Sequence, residues 1–279
     1  MKLSLVYIEL KKIFDRKRSY IGFLALLLLV SILQVAMWVE GKTLIDMVTQ
    51  SLKDAFMMEG NLLNGYFIAF MLMNTLWVLL PFLVSFVAGD SIAGEAHSGT
   101  LRIMMTRPVS RTALITAKYI ASILYTFLLV LFLMLISLGV SSLIFGTGDL
   151  MVYRTSLSIF PEEDVLTKFF MAFGFAFLGM TVVTSLAFLF STLTNNAIGP
   201  IIGTMAIVIG FTIITNLNLE AFLVVRKFLF TTYISSWMLF FDFEPDWQQI
   251  GISILVCLGH TLVFFFSAVW IFNRKDILT

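Results

Sequence analysis

The stretch GDSIAGEAHSGTLRIMMTRPVSRTALITAKYI, Gly89 to Ile120, separates two long apolar runs and carries more polar chemistry than nearly any other part of the chain. Gly94, Gly99 and Pro108 permit tight turns at both ends of a short helix, and the run Leu101 to Met105 between them offers apolar side chains to a partner's groove. Glu95 and Arg102 supply charges for docking, or for fixing the loop against the basic segment at the chain's N-terminus. Which side of which barrier this loop occupies decides its meaning, and that depends on the sequence around it.

The surroundings are those of a membrane protein. Of 279 residues, 59% are hydrophobic and 13% charged, and the mean hydropathy of +0.99 lies outside the soluble range. A hydrocarbon core about 30 Å thick needs about 20 helical residues. Six runs meet that demand: Tyr20 to Val39, Tyr66 to Ala88, Ala113 to Phe145, Phe169 to Ser191, Ala197 to Thr215 and Ile250 to Phe272. The third would be about 50 Å long as a helix, so it tilts or stands partly outside the bilayer. The fold class is therefore all-α and polytopic, one transmembrane domain over residues 1–279 with six spans. A seventh stretch, Phe222 to Phe241, is interrupted by Arg226 and Lys227 and reads as an interfacial or re-entrant hairpin within 216–249. The alternative is a genuine seventh span with a snorkelling pair. Tyr233 and Trp237 in this stretch suit a headgroup-level belt. The apolar run ending at Val39 is too long for a signal peptide's core and is read as a retained span.

Basic residues set the orientation. With the N-terminus inside, twelve Lys and Arg fall on the inner side and six on the outer, while acidic residues run the other way, five to twelve. Both termini are expected in the cytoplasm of a cell inner or plasma membrane, and loop 89–112 faces it too. Residues 1–19 place Leu3, Tyr7, Leu10 and Phe14 on one helical face. That pattern predicts an amphipathic helix on the inner leaflet, with Lys11, Lys12, Arg16, Lys17 and Arg18 drawn to anionic lipid. A basic tail without regular structure is the other reading.

Several function classes lose support. Within the spans Lys118 is the one Asp, Glu, Lys or Arg, so the buried carboxylates and relays of ion-coupled carriers are missing. No GxxxxGK[ST] loop, HExxH or Gly-x-Ser-x-Gly occurs. A non-catalytic chain is expected, with no cofactor or metal of its own and no nucleic-acid partner. Its single cysteine, Cys257, leaves no disulfide framework. Energy for uphill transport would enter from a partner outside the bilayer, through loop 89–112. Gln34 and Asn74 are weak candidates for lining a pathway, with interhelical hydrogen bonding the alternative. His260 reads as a packed residue, and GPIIG, Gly199 to Gly203, has the spacing of a close helix contact.

The order Gly94-Glu95, Gly99-Thr100-Leu101, Arg107-Pro108, Arg111 and Lys118 resembles the ABC-2 family of ATP-binding cassette transporter permeases. The resemblance extends to the amphipathic start, the six spans and the hairpin before the last, so it covers nearly the whole chain. His97 stands where that family varies freely. The resemblance implies a permease subunit, most often an exporter, paired with a second permease copy or a paralogue. It also implies two separate ATPase subunits that hold ATP and magnesium. Loop 89–112 would then be the coupling helix, with Gly94, Glu95, His97, Gly99, Thr100, Leu101, Arg102, Arg107, Pro108 and Arg111 as its coupling residues. Residues 1–19 would be the elbow helix and 216–249 the outer hairpin. A passive channel or a membrane scaffold subunit is the competing expectation, and nothing in the spans selects a substrate.

Overall fold

The computed structural model describes residues 3–53, 62–106, 109–153, 157–217 and 219–275. Arg107 and Pro108 of the expected coupling set lie outside the described residues.

Helix α1 (Leu3–Asp15) runs through a short 3-10 turn into α2 (Tyr20–Lys53). α3 (Gly65–Leu76) and α4 (Leu80–His97) follow, then the short α5 (Thr100–Met105) and α6 (Arg111–Met134). A π-helical turn, Leu135–Val140, joins α6 to α7 (Ser141–Phe145). A two-stranded antiparallel hairpin comes next, β1 (Leu150–Tyr153) and β2 (Leu157–Phe160), with Leu150 opposite Phe160. The chain closes with α8 (Glu162–Leu193), α9 (Ile198–Asn216), the short α10 (Leu223–Arg226) and α11 (Phe230–Ile234), and α12 (Trp247–Arg274). The short hairpin β1–β2 interrupts an otherwise helical architecture, which fits the all-α expectation.

Among the described residues, five helical stretches are long and apolar enough to cross a membrane: Lys17–Thr43, Arg111–Phe145, Glu162–Leu193, Ile198–Asn216 and Trp247–Arg274. α3 and α4 pass the same test only as a pair, bent by 54°. The protein is thus an α-helical, multi-span membrane protein. The bend falls inside the run expected as one span, and its cause is local. Pro81 sits in the first turn of α4; it donates no hydrogen bond, and its ring crowds the carbonyl four residues back, that of Trp77.

α8 is the central helix, packed on α4, α6, α9 and α12. Two-thirds of its apolar window is buried, 67%, against 17% for α9. Small residues permit this. Gly179 faces Ile234, while Thr184 and Ser185 meet Thr126 and the Tyr119 hydroxyl at 2.7 and 2.8 Å. The outer faces of α2, α9 and α12 expose rows of Leu, Ile and Val, a surface that hydrocarbon, unlike water, does not penalise.

Gln34 makes interhelical hydrogen bonds. It is buried on α2 and donates to the Ile136 carbonyl and the Ser141 hydroxyl at 3.0 and 2.9 Å. The first of these satisfies a carbonyl inside the π-turn, where the regular ladder is interrupted. Asn74 on α3 is instead exposed. At the start of α3, Asn64 caps the helix by accepting from the Phe67 amide and donates to the Asp149 carbonyl at 2.7 Å. Gly65 lies so close to the backbone of Ser142 that a β-carbon there would collide with it.

Between α9 and α12 the described residues form short helical turns, none long enough to cross a membrane. Trp237, expected in an interfacial belt, is fully buried against Phe70, Trp77 and Phe241, and Tyr233 donates to the Lys227 carbonyl from a nearly buried site. The Trp237 ring fills space beside the bent α3–α4 pair. Gly203 of GPIIG faces Phe190 of α8, so the motif works inside the chain. His260 Nδ1 donates to the Val256 carbonyl of its own helix at 2.9 Å, as a packed residue does.

Candidate coupling site

α1 docks along α6, with a face shifted from the one its apolar pattern predicts. Val6 and Glu9 are buried and Ile13 and Phe14 half-buried, while Tyr7 and Ile8 stay exposed. The reason is electrostatic. Glu9 has to face inward because Lys118, on α6, is buried there and needs an anion.

Four charges from three helices close a ring. Lys12 Nζ lies 2.8 Å from Glu9 Oε1, and Lys118 Nζ donates to Glu9 Oε2 at 2.7 Å. Lys118 also stands 2.6 Å from Glu95 Oε2, an ion contact outside hydrogen-bond geometry. Lys12 completes the circuit to Glu95 Oε1 at 3.3 Å. Signs alternate around the ring and cancel, the arrangement that lets ionised groups survive burial. Burial alone would raise the pKa of Glu9; the ammonium groups of Lys118 and Lys12 outweigh it and hold the carboxyl below its ordinary value.

A second clamp sits one turn further along. Arg16 and Arg18 both donate to the Asp90 carboxylate of α4, at 2.5 and 2.8 Å. Gly94 is required beneath it, since a β-carbon there would strike Asp90 Oδ1. Lys12, Arg16 and Arg18, expected to face lipid headgroups, are therefore committed in part to protein carboxylates. Lys11 and Lys17 remain exposed.

The reversal from α4 to α5 turns on Gly99, whose φ of 73° is the left-handed conformation that favours glycine. Ser98 and Thr100 hydroxyls donate to the Glu95 carbonyl, both at 3.3 Å. α5 then presents two faces. Leu101 is buried in a small cluster with Ile92, Leu114, Phe188 and Phe272, which belong to α4, α6, α8 and α12. His97, Thr100, Arg102 and Ile103 are exposed. Beyond α5, Ser110 caps α6 by accepting from the Ala113 amide. Arg111 donates to the carbonyls of Asn273 and Lys275, and Lys275 Nζ donates to those of Thr192 and Thr194. A displacement of α5 would thus be felt by the ends of four long helices.

The expected coupling set divides accordingly. Glu95 and Leu101 are buried within the chain, and Glu95 ties α4 to α1 and α6 through Lys12 and Lys118. Sequence reasoning passed over Glu9 and Asp90. The one signal available was Lys118, a lone cation inside an apolar run, which requires carboxylates from elsewhere in the chain.

A family model described as "Protein of unknown function (DUF2705)" matches residues 27–278. The chain belongs to the DUF2705 family. The match begins within α2, after the α1 residues of the ring. A relative is the "Uncharacterized protein YhcI" of Bacillus subtilis (strain 168), 25% identical over 205 residues. The aligned stretch is 68% of this chain and spans 62% of that protein's length.

Proposed function

We propose that this DUF2705 chain is the permease subunit of an ABC-2 type transporter, an exporter driven by separate ATPase subunits docking on α5. The observation that carries the reading is α5 itself. It is a six-residue helix with one side chain, Leu101, sunk among four long helices and an opposite face left exposed. A partner that moves such an element moves the bundle, whereas a channel or a scaffold needs no such element.

In this reading α3 and α4 form one bent span, six spans cross the membrane, and both termini lie in the cytoplasm with α5. Two permease copies, or this chain and a paralogue, carry two ATPase subunits that bind ATP and magnesium. This chain binds no cofactor and catalyses nothing. ATP-driven closure of the ATPases draws the α5 helices together; the push passes through Leu101 and through the ring at Glu95, and the bend at Pro81 absorbs it. Asn74, exposed on α3, belongs at a water-lined pathway or against the second copy, because an unsatisfied amide facing hydrocarbon costs several kcal/mol.

The test is affinity purification of the tagged chain from its native membrane, with mass spectrometry of partners and an ATPase assay, in wild type and in Arg102→Glu/Ile103→Asp. An ATPase that accompanies wild type and is lost with the exposed-face variant supports the reading. A chain that purifies alone in both cases removes the engine and leaves a channel or scaffold.

A further inference from the structure

The clamp of Arg16 and Arg18 on Asp90 is unbalanced, with two guanidinium groups against one carboxylate. Each guanidinium has five N–H donors, and Asp90 takes one hydrogen bond from each. The three groups line a small cleft between the α1–α2 junction and α4, whose remaining wall includes Ile13, Phe86 and Val87. Arg18 is half-exposed and Arg16 one-third exposed, so both reach the cleft from its open side. The cleft adjoins the first residues of the span Lys17–Thr43, which is headgroup level whichever side of the membrane it occupies. From Phe86 the surface of α4 continues toward the bend through Phe82, in edge contact with Phe86, and on to the exposed Val78.

Positive charge at the mouth with an apolar track leading into the bilayer is complementary to one kind of molecule. The geometry points to a resident anionic phospholipid, its phosphodiester on Arg16 and Arg18 and one acyl chain along Phe86 and Phe82. Its charge of minus one neutralises the excess of the clamp. A zwitterionic lipid carries the same phosphate but brings an ammonium group toward two arginines, so the site discriminates against it. A lipid held here bridges α1 and α4 beside the charge ring and stiffens the junction. This inference is independent of the transporter reading; it needs only the membrane.

The experiment is native mass spectrometry of the purified full chain in detergent, titrated with phosphatidylglycerol or phosphatidylcholine. One phosphatidylglycerol per chain is expected, bound at least about tenfold more tightly than phosphatidylcholine. Arg16→Gln/Arg18→Gln should abolish the preference, and Lys11→Gln/Lys17→Gln, outside the cleft, should retain it. If the double variant does not fold, Arg18→Gln alone decides, because Arg18 is the more exposed of the pair. Inorganic phosphate at the concentration of the lipid should not displace it, since the acyl chain contributes to binding. Equal binding of the two lipids, an undiminished preference in the arginine variants, or displacement by phosphate would each overturn the assignment.

Discussion

Lys118 is a charge that the fold cannot leave alone. It is 2% exposed and takes its counter-ions from residues far away in sequence, Glu9 and Glu95. Replacing it with Met leaves both carboxylates buried without their main partner, a loss of about 3–5 kcal/mol. The expected outcome is a large drop in the thermal midpoint of Lys118→Met in detergent. The triple variant Glu9→Gln/Glu95→Gln/Lys118→Met should recover part of it, because no buried ion then lacks a partner. A Lys118→Met chain that unfolds like wild type would show that the ring is not closed in solution. At Gly65 the argument is steric: Gly65→Ala forces a β-carbon into the Ser142 backbone, and a loss of about 1–3 kcal/mol is expected from overpacking, read by the same midpoint. The sequence makes Lys118 conspicuous, since it is the only such charge in the apolar runs. It does not announce the partners, because three helices meet at a point no local pattern encodes.

At the scale of elements, α1 is held by charge as much as by apolar contact, and that makes its docking depend on pH. Lys12 on α1, Lys118 on α6 and Glu95 on α4 surround Glu9. Its folded pKa lies below the ordinary 4.5. A lowered folded pKa means that the contribution to docking is fully present above 4.5 and disappears as the pH falls through the folded value. Amide hydrogen exchange should therefore find α1 protected at pH 7 and at pH 5, and progressively open below 4.5. Glu9→Gln should weaken protection at pH 7 and flatten the acid dependence; an unaltered pH profile in that variant would refute the role given to Glu9. The helix was legible in its period, but its buried face was not, because a stripe chosen for hydrophobicity points to lipid as readily as to protein. The same ambiguity hid the place of Trp237: it suits an interface by type, and only its contacts with Phe70 and Trp77 of the bent α3–α4 pair make it a core residue. Pro81 was visible in the sequence, yet run length reads straight through a bend.

For the whole molecule, composition and run length carry most of the architecture, since a chain surrounded by hydrocarbon has few ways to satisfy its backbone. They cannot order the helices around α8, whose central position rests on small residues meeting particular neighbours, and they give no sign of the hairpin β1–β2. The functional reading likewise depends on a whole-molecule property, the side of the membrane that α5 faces. In the proposed reading α1, α5 and the end of α12 face the cytoplasm, as the excess of Lys and Arg there leads one to expect, and Glu163 and Glu244, both exposed, face the opposite side. The one native cysteine, Cys257, is buried, so single cysteines introduced elsewhere can be read against a quiet background. In intact cells a membrane-impermeant maleimide should label Glu163→Cys and Glu244→Cys, and should reach Lys11→Cys and His97→Cys only after lysis. An additional crossing between α9 and α12 would instead put Glu244→Cys and Glu163→Cys on different sides. Labelling of His97→Cys from outside would end the coupling proposal outright, because the nucleotide that drives an ATPase partner is cytoplasmic and α5 would be beyond its reach.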